Sequence, residues 1–366
     1  MNHIKICDTT LRDGEQMPGV AFSKRQKIDL AGDIARFGID MIELMPAVSE
    51  TEKETAEYLV NHGFKSRITA STMSKKEHID LAEDIGIRNI TLFTSMSDIH
   101  LQKKLGTTRE KNLEKSIRFI EYARELGLNV SFAGEDSTRA NTSYLINFIK
   151  SLEGKIDYFL PCDTLGIFTP NQTYEMIKKI KSETSCSIGL HIHNDLGQAA
   201  ANTLAGIAAG ADMFSGTFNG IGERAGNAPI EEVITALKYQ YNNSLPVKYE
   251  FIAEICSKVE RYSGIFLQKH KPISGKNAFS HESGVHIDGI LKCPENYEHF
   301  SPSSIGRKRR FLFGKHSGMK SLKYALDNGY TDKEYRTMLA EIKSTSELEK
   351  RSFSEQEIRR RYCQDV

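Results

Sequence analysis

Short apolar runs alternate with longer amphipathic ones along most of the chain. The β-rich runs are IKICDTT (4–10), DMIELM (40–45), RITASTM (67–73), NITLFTS (89–95), NVSFAGE (129–135), DYFLPCDT (157–164), SIGLHIH (187–193) and MFSGTFNG (213–220). Between them, stretches such as KRQKIDLAGDIARFG, KKEHIDLAEDIG, EKSIRFIEYARELG and NQTYEMIKKIKS repeat apolar residues at helical spacing. Several end in Gly ahead of the next strand, where a helix C-cap belongs. Eight strand–helix units without a GxGxxG turn predict an α/β protein, a parallel (β/α)8 TIM barrel rather than a doubly wound open sheet. After PIEEVITALKYQ (229–240) the alternation stops. Residues 241–249 read as a linker. EFIAEICSKVERYSG, SGMKSLKYALDNG, DKEYRTMLAEIKSTSELEKR and SEQEIRRRYCQ then predict a helical C-terminal region. The expected domains are a catalytic barrel over 1–240 and a linker with a helical subdomain over 241–366.

Composition narrows the class. A chain of 366 residues, 39% hydrophobic and 27% charged, has ample material for a large core. Its net charge of +1 gives no field that argues for nucleic acid or an anionic membrane as partner. Six cysteines without a CxxC pair read as reduced thiols. The N-terminus lacks the apolar region of a signal peptide, and no run is long enough to span a bilayer. The expectation is a cytoplasmic globular protein.

In such a barrel, functional side chains come from the C-terminal ends of the strands. Here those ends carry Arg12-Asp13, Glu43, Glu135-Asp136, Asp163-Thr164, His191-Ile192-His193-Asn194-Asp195 and the Asn219–Arg224 turn. His191 and His193 lie two apart on a strand, so both imidazoles face one side. With Asp13 they form a two-histidine, one-carboxylate set that suits a divalent cation and leaves positions open for a chelating ligand. Arg12, beside Asp13, can stabilise an alkoxide as it forms. Glu135 can orient Arg12 or a substrate, or serve as a structural ion pair. Cys7 and Cys162 read as packing residues, since no base is assignable to either. A second cluster, FSHESGVHIDGILKCPENYEHF (279–300), holds His281, His286, Tyr297 and His299, types suited to acid–base chemistry; lying outside the barrel, each reads first as a structural or surface group. The basic run GRKRRFLFGKHSG reads first as a solvated charged face, with a phosphate contact as the alternative.

In order, DTTLRDGEQ, GED, DTLG, HIHND, NGIGERAGNAPIEE, HESGVHIDGILK, NYE and GKHSG resemble the DRE-TIM metallolyase superfamily. Within it they are similar to the enzymes that condense acetyl-CoA with a 2-oxo acid: homocitrate, isopropylmalate, citramalate and Re-citrate synthases. The compact length resembles the homocitrate synthases of nitrogen fixation, with no room for a leucine-sensing C-terminal domain. The resemblance implies an amino-acid-biosynthetic acyltransferase, with acetyl-CoA as co-substrate and Mg2+, Mn2+ or Zn2+ as cofactor. It implies that Asp13, His191 and His193 hold the metal, with Asn227 a further ligand or close neighbour. Arg12 would polarise the ketone and Thr164 would bind the 2-oxo-acid carboxylate. Gln16, Glu43 and Glu135 would surround the substrates. His286 and Tyr297 would reach in from the partner of a homodimer to serve the acid–base step.

The match breaks where acceptor choice would be set. Leu44 stands where the family usually has a small residue. Ser71 and Ser131 stand where lysine-pathway homocitrate synthases carry His and Arg. The leading acceptor is 2-oxoglutarate, with Arg139 or another group compensating for the missing donors. Oxaloacetate, pyruvate, 2-oxoisovalerate and phosphonopyruvate stay open. A retro-aldol lyase like 3-hydroxy-3-methylglutaryl-CoA lyase and a non-catalytic binding barrel are the rival classes.

Overall fold

The computed structural model describes residues 4–363, which form two compact units. The first comprises the residues up to Lys248 together with Ile255–Phe266; the second comprises Tyr249–Glu254 and the residues from Leu267 on.

The first unit is the barrel. Its strands are β1 (Lys5–Asp8), β2 (Met41–Leu44), β3 (Ile68–Met73), β4 (Asn89–Ser95), β5 (Asn129–Glu135), β6 (Tyr158–Asp163), β7 (His191–Ile192) and β8 (Met213–Gly216). They pair in the order β7-β6-β5-β4-β3-β2-β1-β8. Backbone bonds from Leu190 N to Met213 O (3.0 Å) and Ser215 N to Leu190 O (2.7 Å) close the ring. The eight expected runs are thus the eight strands, with three trimmed for local reasons. Past β1, Thr10 folds back through its N–H and hydroxyl onto the Asp8 carboxylate, at 2.9 and 3.0 Å. Past β8, Asn219 takes a left-handed φ of 65°, which a strand cannot continue through. Within 187–193, Gly189 faces Met213 and Leu160 with no space for a Cβ, and the regular ladder is confined to two residues.

Outward residues of the strands (Ile42, Leu44, Ile68, Ala70, Ile90, Leu92, Val130, Phe132) are buried under the helix ring. Each large apolar side chain so placed contributes roughly 1.5–3 kcal/mol. Helix Lys24–Phe37 shows how the sequence sets its bounds. A Ser23/Gln26 capping box opens it and Gly38, at φ 111°, ends it. Leu30, Ala31, Ile34 and Phe37 form its buried face. The core therefore lies between strands and helices, and the inward positions near the strand ends are left to polar side chains.

The second unit is helical, as expected, over Gly284–Lys292, Met319–Ala325, Asp332–Glu349 and Glu355–Tyr362; Gln364 of the last sequence pattern lies outside the described residues. It also contains a small sheet that the helical periodicity does not announce: β9 (Ser280–His281), β10 (Arg310–Phe313) and β11 (Phe353–Ser354), with β10 central. Phe311, Phe313, Tyr335, Ile342 and Phe353 are buried in its core. The basic run thus alternates between core and surface, and Arg309 pairs with buried Glu298 at 2.6 Å. Among the described residues no helix is long and apolar enough to cross a membrane.

Candidate active site

A cavity of about 430 Å3 opens at the C-terminal ends of the strands, lined by eight of the side chains singled out above: Arg12, Asp13, Gln16, Glu43, Glu135, Thr164, His191 and His193. β7 supplies the histidines. Ser215 spends its hydroxyl proton on the Leu190 carbonyl at 3.1 Å, so it can only accept from His191 Nδ1, 2.7 Å away. That fixes the His191 tautomer and turns the Nε2 lone pair inward. His191 Nε2 lies 3.2 Å from His193 Nε2 and 3.5 Å from Asp13 Oδ2. Burial, with His191 alongside, pulls the His193 imidazole down to about 4, so it is neutral at physiological pH. Burial would raise the Asp13 carboxyl, but the Arg12 guanidinium holds it well below the usual range.

Asn227 donates to Asp13 Oδ1 at 2.7 Å, and its own Oδ1 is buried with no partner among the described residues. It is a close neighbour of the cluster, with an oxygen still to be satisfied. Two imidazoles, an ionised carboxylate and an orphaned amide oxygen form a donor set that fits a divalent cation. Gly222 shapes this corner. A Cβ there would overlap the Asn227 amide nitrogen and lie 2.9 Å from Asp13 Oδ1. Gly222→Ala is expected to weaken Mn2+ binding by about 10–100-fold, read by calorimetry, because it displaces the partner that orients Asp13.

Arg12 is held in a fork. Its Nε donates to Glu43 at 2.8 Å and Nη1 to Asp13 at 2.9 Å, with Gln16 Oε1 at 3.4 Å. Burial opposes its charge, yet Glu43 and Asp13 keep it protonated. Glu43 is thus the residue that orients Arg12; Glu135 does not. Glu135 instead accepts from Lys104 through both oxygens, at 2.6 and 2.7 Å, and from Ser95 at 2.9 Å. Thr164 Oγ1 accepts from Asp136 N at 2.8 Å, which leaves its own proton free to donate. The glycine of DTLG, Gly166, has φ 58° and no space for a Cβ against the backbone of His193 and Asp195. Cys7 and Cys162 lie buried in the cavity wall, and burial pushes both thiols upward, as suits packing residues.

Three further residues of the lining carry groups that the sequence reading did not assign. Lys104 caps the short helix Asp98–Lys103 that follows β4. Arg224 pairs with Asp195 at 2.7 Å and donates to Thr164 O at 2.6 Å. Thr91 completes a row: Ser71, Thr91 and Ser131 are cross-strand partners on β3, β4 and β5. All three line the cavity, and none of their hydroxyls has a hydrogen-bond partner among the described residues. Arg139 is not the compensating cation. Its guanidinium grips the buried Asp136 through Nε and Nη2, both at 2.8 Å, and does not line the cavity.

His286 and Tyr297 belong to the second unit, where their rings pack with centroids 4.3 Å apart and planes tilted by 33°. Tyr297 packs over Gly289, one helical turn beyond His286.

A family model described as HMGL-like matches residues 3–259, and one described as homocitrate synthase post-HMGL domain-like matches residues 273–350. The chain is 39% identical to homocitrate synthase AksA of Methanosarcina acetivorans, over 99% of its own length and 90% of that protein's. It is 41% identical to 2-isopropylmalate synthase 2 of Caldanaerobacter subterraneus subsp. tengcongensis, over 92% and 87% of the two chains. It is 39% identical to the (R)-citramalate synthase CimA of Methanocaldococcus jannaschii, over 88% of this chain and 66% of that one.

Proposed function

Since the chain belongs to the HMGL-like family and carries the homocitrate synthase post-HMGL domain, we propose that it is an acyltransferase that condenses acetyl-CoA with a 2-oxo acid and then hydrolyses the thioester. The observation that carries this is the convergence of Asp13, His191 and His193 beside the forked Arg12. When bound there, a divalent cation supplies Lewis acidity toward the ketone and carboxylate oxygens of a 2-oxo acid. Arg12 meets the negative charge that grows on the ketone oxygen as the new bond forms. Thr164, with its proton free, donates to the substrate carboxylate. Gln16 flanks the same pocket.

His286, paired with Tyr297, removes a proton from the acetyl methyl group. The resulting enolate carbon bonds to the ketone carbon, and the alkoxide takes up a proton. Water then adds to the thioester carbonyl and free CoA leaves as the thiol. We assign His286 and Tyr297 to a second copy of the chain, in a homodimer of the cytoplasm serving amino-acid biosynthesis.

For the acceptor we propose 2-oxoglutarate. The row Ser71, Thr91, Ser131 supports an acceptor with an acidic far end, because three unpaired hydroxyls sealed against an alkyl group would lose their hydration without compensation. Lys104, over Glu135, neutralises the carboxylate that would otherwise repel such a group.

Release of CoA thiol from acetyl-CoA tests the reading, with Mn2+ and a panel of 2-oxoglutarate, oxaloacetate, phosphonopyruvate, pyruvate and 2-oxoisovalerate. Turnover with one acceptor, abolished by a chelator and restored by Mn2+, is the expected result. No thiol release with any of the five overturns it.

A further inference from the structure

Lys27 is wholly buried on helix Lys24–Phe37, an uncommon place for an ammonium. Its Nζ donates to the carbonyl of Leu11 at 3.1 Å, the residue directly before Arg12. The same nitrogen pairs with the carboxylates of Glu15 and Glu52, so its three donors meet three acceptors. Glu15 also accepts from Phe22 N at 2.7 Å. One side chain thus fastens the 11–22 segment at its start, its middle and, through Glu15, its end. The segment's own backbone bonds are local: Arg12 N and Gly14 N to Thr9 O, Gln16 N to Asp13 O, Val20 N to Met17 O. They coil the turn on itself and tie it to no helix. Lys27, Glu15 and Glu52 do not line the cavity.

We propose that Lys27 is a positioning residue for Arg12 and Asp13: it sets where the turn presents the guanidinium and the carboxylate without touching a substrate. The role rests on the site assigned to those two residues above. Its physical basis is the scarcity of alternatives for the ammonium's partners. The side chains of Glu15 and Glu52 are 22% and 11% exposed. Without Lys27 they are like charges side by side in a poorly hydrated space, and the turn has to open to let water reach them. A turn displaced by even about 1 Å takes Asp13 out of register with the histidines.

The test pairs Lys27→Met with Glu52→Gln, which removes one charge of each sign and spares the fold. The double variant is expected to melt cooperatively, to bind Mn2+ about 30-fold more weakly by calorimetry, and to lose a similar factor in kcat with KM for acetyl-CoA within about threefold. Lys27→Arg, which can keep the pairs, is expected to retain most of the Mn2+ affinity. If the double variant does not fold, Glu15→Gln, which weakens the middle fastening and leaves Lys27 on Leu11 and Glu52, is expected to lower Mn2+ affinity by about fivefold. A folded double variant, or a folded Glu15→Gln, with wild-type Mn2+ affinity overturns the proposal. Mn2+ binding is read without turnover. Absent thiol release in the wild type therefore strikes the proposed reaction, and unchanged affinity in the variants strikes Lys27.

Discussion

Arg12→Lys lowers kcat by about 10^3 and leaves KM for acetyl-CoA within about threefold. The geometry gives the reason. Arg12 engages Glu43 through Nε and Nη2 and Asp13 through Nη1, so the planar fork is fixed on two sides while it faces the cavity. Lysine carries one charged nitrogen on a flexible stem and cannot hold both carboxylates in one orientation. It would settle on Glu43 or on Asp13, leaving the other carboxylate uncompensated beside the reacting oxygen. Donors aimed at a developing oxyanion are worth about 10^2–10^3 in kcat when removed singly. Here the loss also disturbs Asp13, whose ionisation leans on the guanidinium. Steady-state kinetics with calorimetry of Mn2+ binding check it. A kcat within tenfold of wild type would show that the guanidinium is not what meets the developing charge.

The second large effect concerns the acceptor. Replacing the whole hydroxyl row, Ser71→Ala with Thr91→Val and Ser131→Ala, is expected to change the ratio of kcat/KM for 2-oxoglutarate over 2-oxoisovalerate by about 10^3, since hydrogen bonds to a charged group contribute about 1.5–3 kcal/mol each. Most of the change lies in the diacid, which loses donors. The branched acid gains, because it no longer strips water from hydroxyls it cannot satisfy. The cross-strand pairing of Ser71 with Thr91 and of Thr91 with Ser131 makes the three act as one wall, so each single variant moves the ratio by a smaller factor. A wild type that prefers 2-oxoisovalerate, or a triple variant with an unchanged ratio, would remove the row from acceptor choice.

Periodicity carried the barrel, because each strand is a short β-rich run with apolar outward positions, and amphipathic helical runs lie between them. It also carried the His191-x-His193 pair, since side chains two apart on a strand share a face whatever the fold around them. Asp13 and Arg12 were legible as neighbours in the chain. What the sequence could not give was contact across it. Glu43 as the partner of Arg12, Lys104 as the partner of Glu135 and Ser215 as the group that sets the His191 tautomer are all made by closure of the ring. Thr91 looks like an ordinary β-former until its register against Ser71 and Ser131 is known. Arg139 looked available because its partner, Asp136, is near in sequence yet is buried and turned toward it by a left-handed backbone. The small sheet of the second unit escaped notice because two of its three strands are only two residues long.

The return of the chain to the barrel after Tyr249–Glu254 bears on how far the barrel can be shortened. Ile255, Cys256 and Val259 are buried in the stretch that comes back, and the carbonyl of Cys256 accepts from Asn219 Nδ2 at 2.8 Å. Asn219 is the left-handed residue that turns the chain from the last strand into the loop of Gly222 and Asn227. A truncation at Lys248 would therefore keep every residue that lines the cavity and still remove the brace behind its final loop. The smallest autonomous barrel ends beyond that returning stretch, near Phe266, and takes along the six residues Tyr249–Glu254 of the second unit.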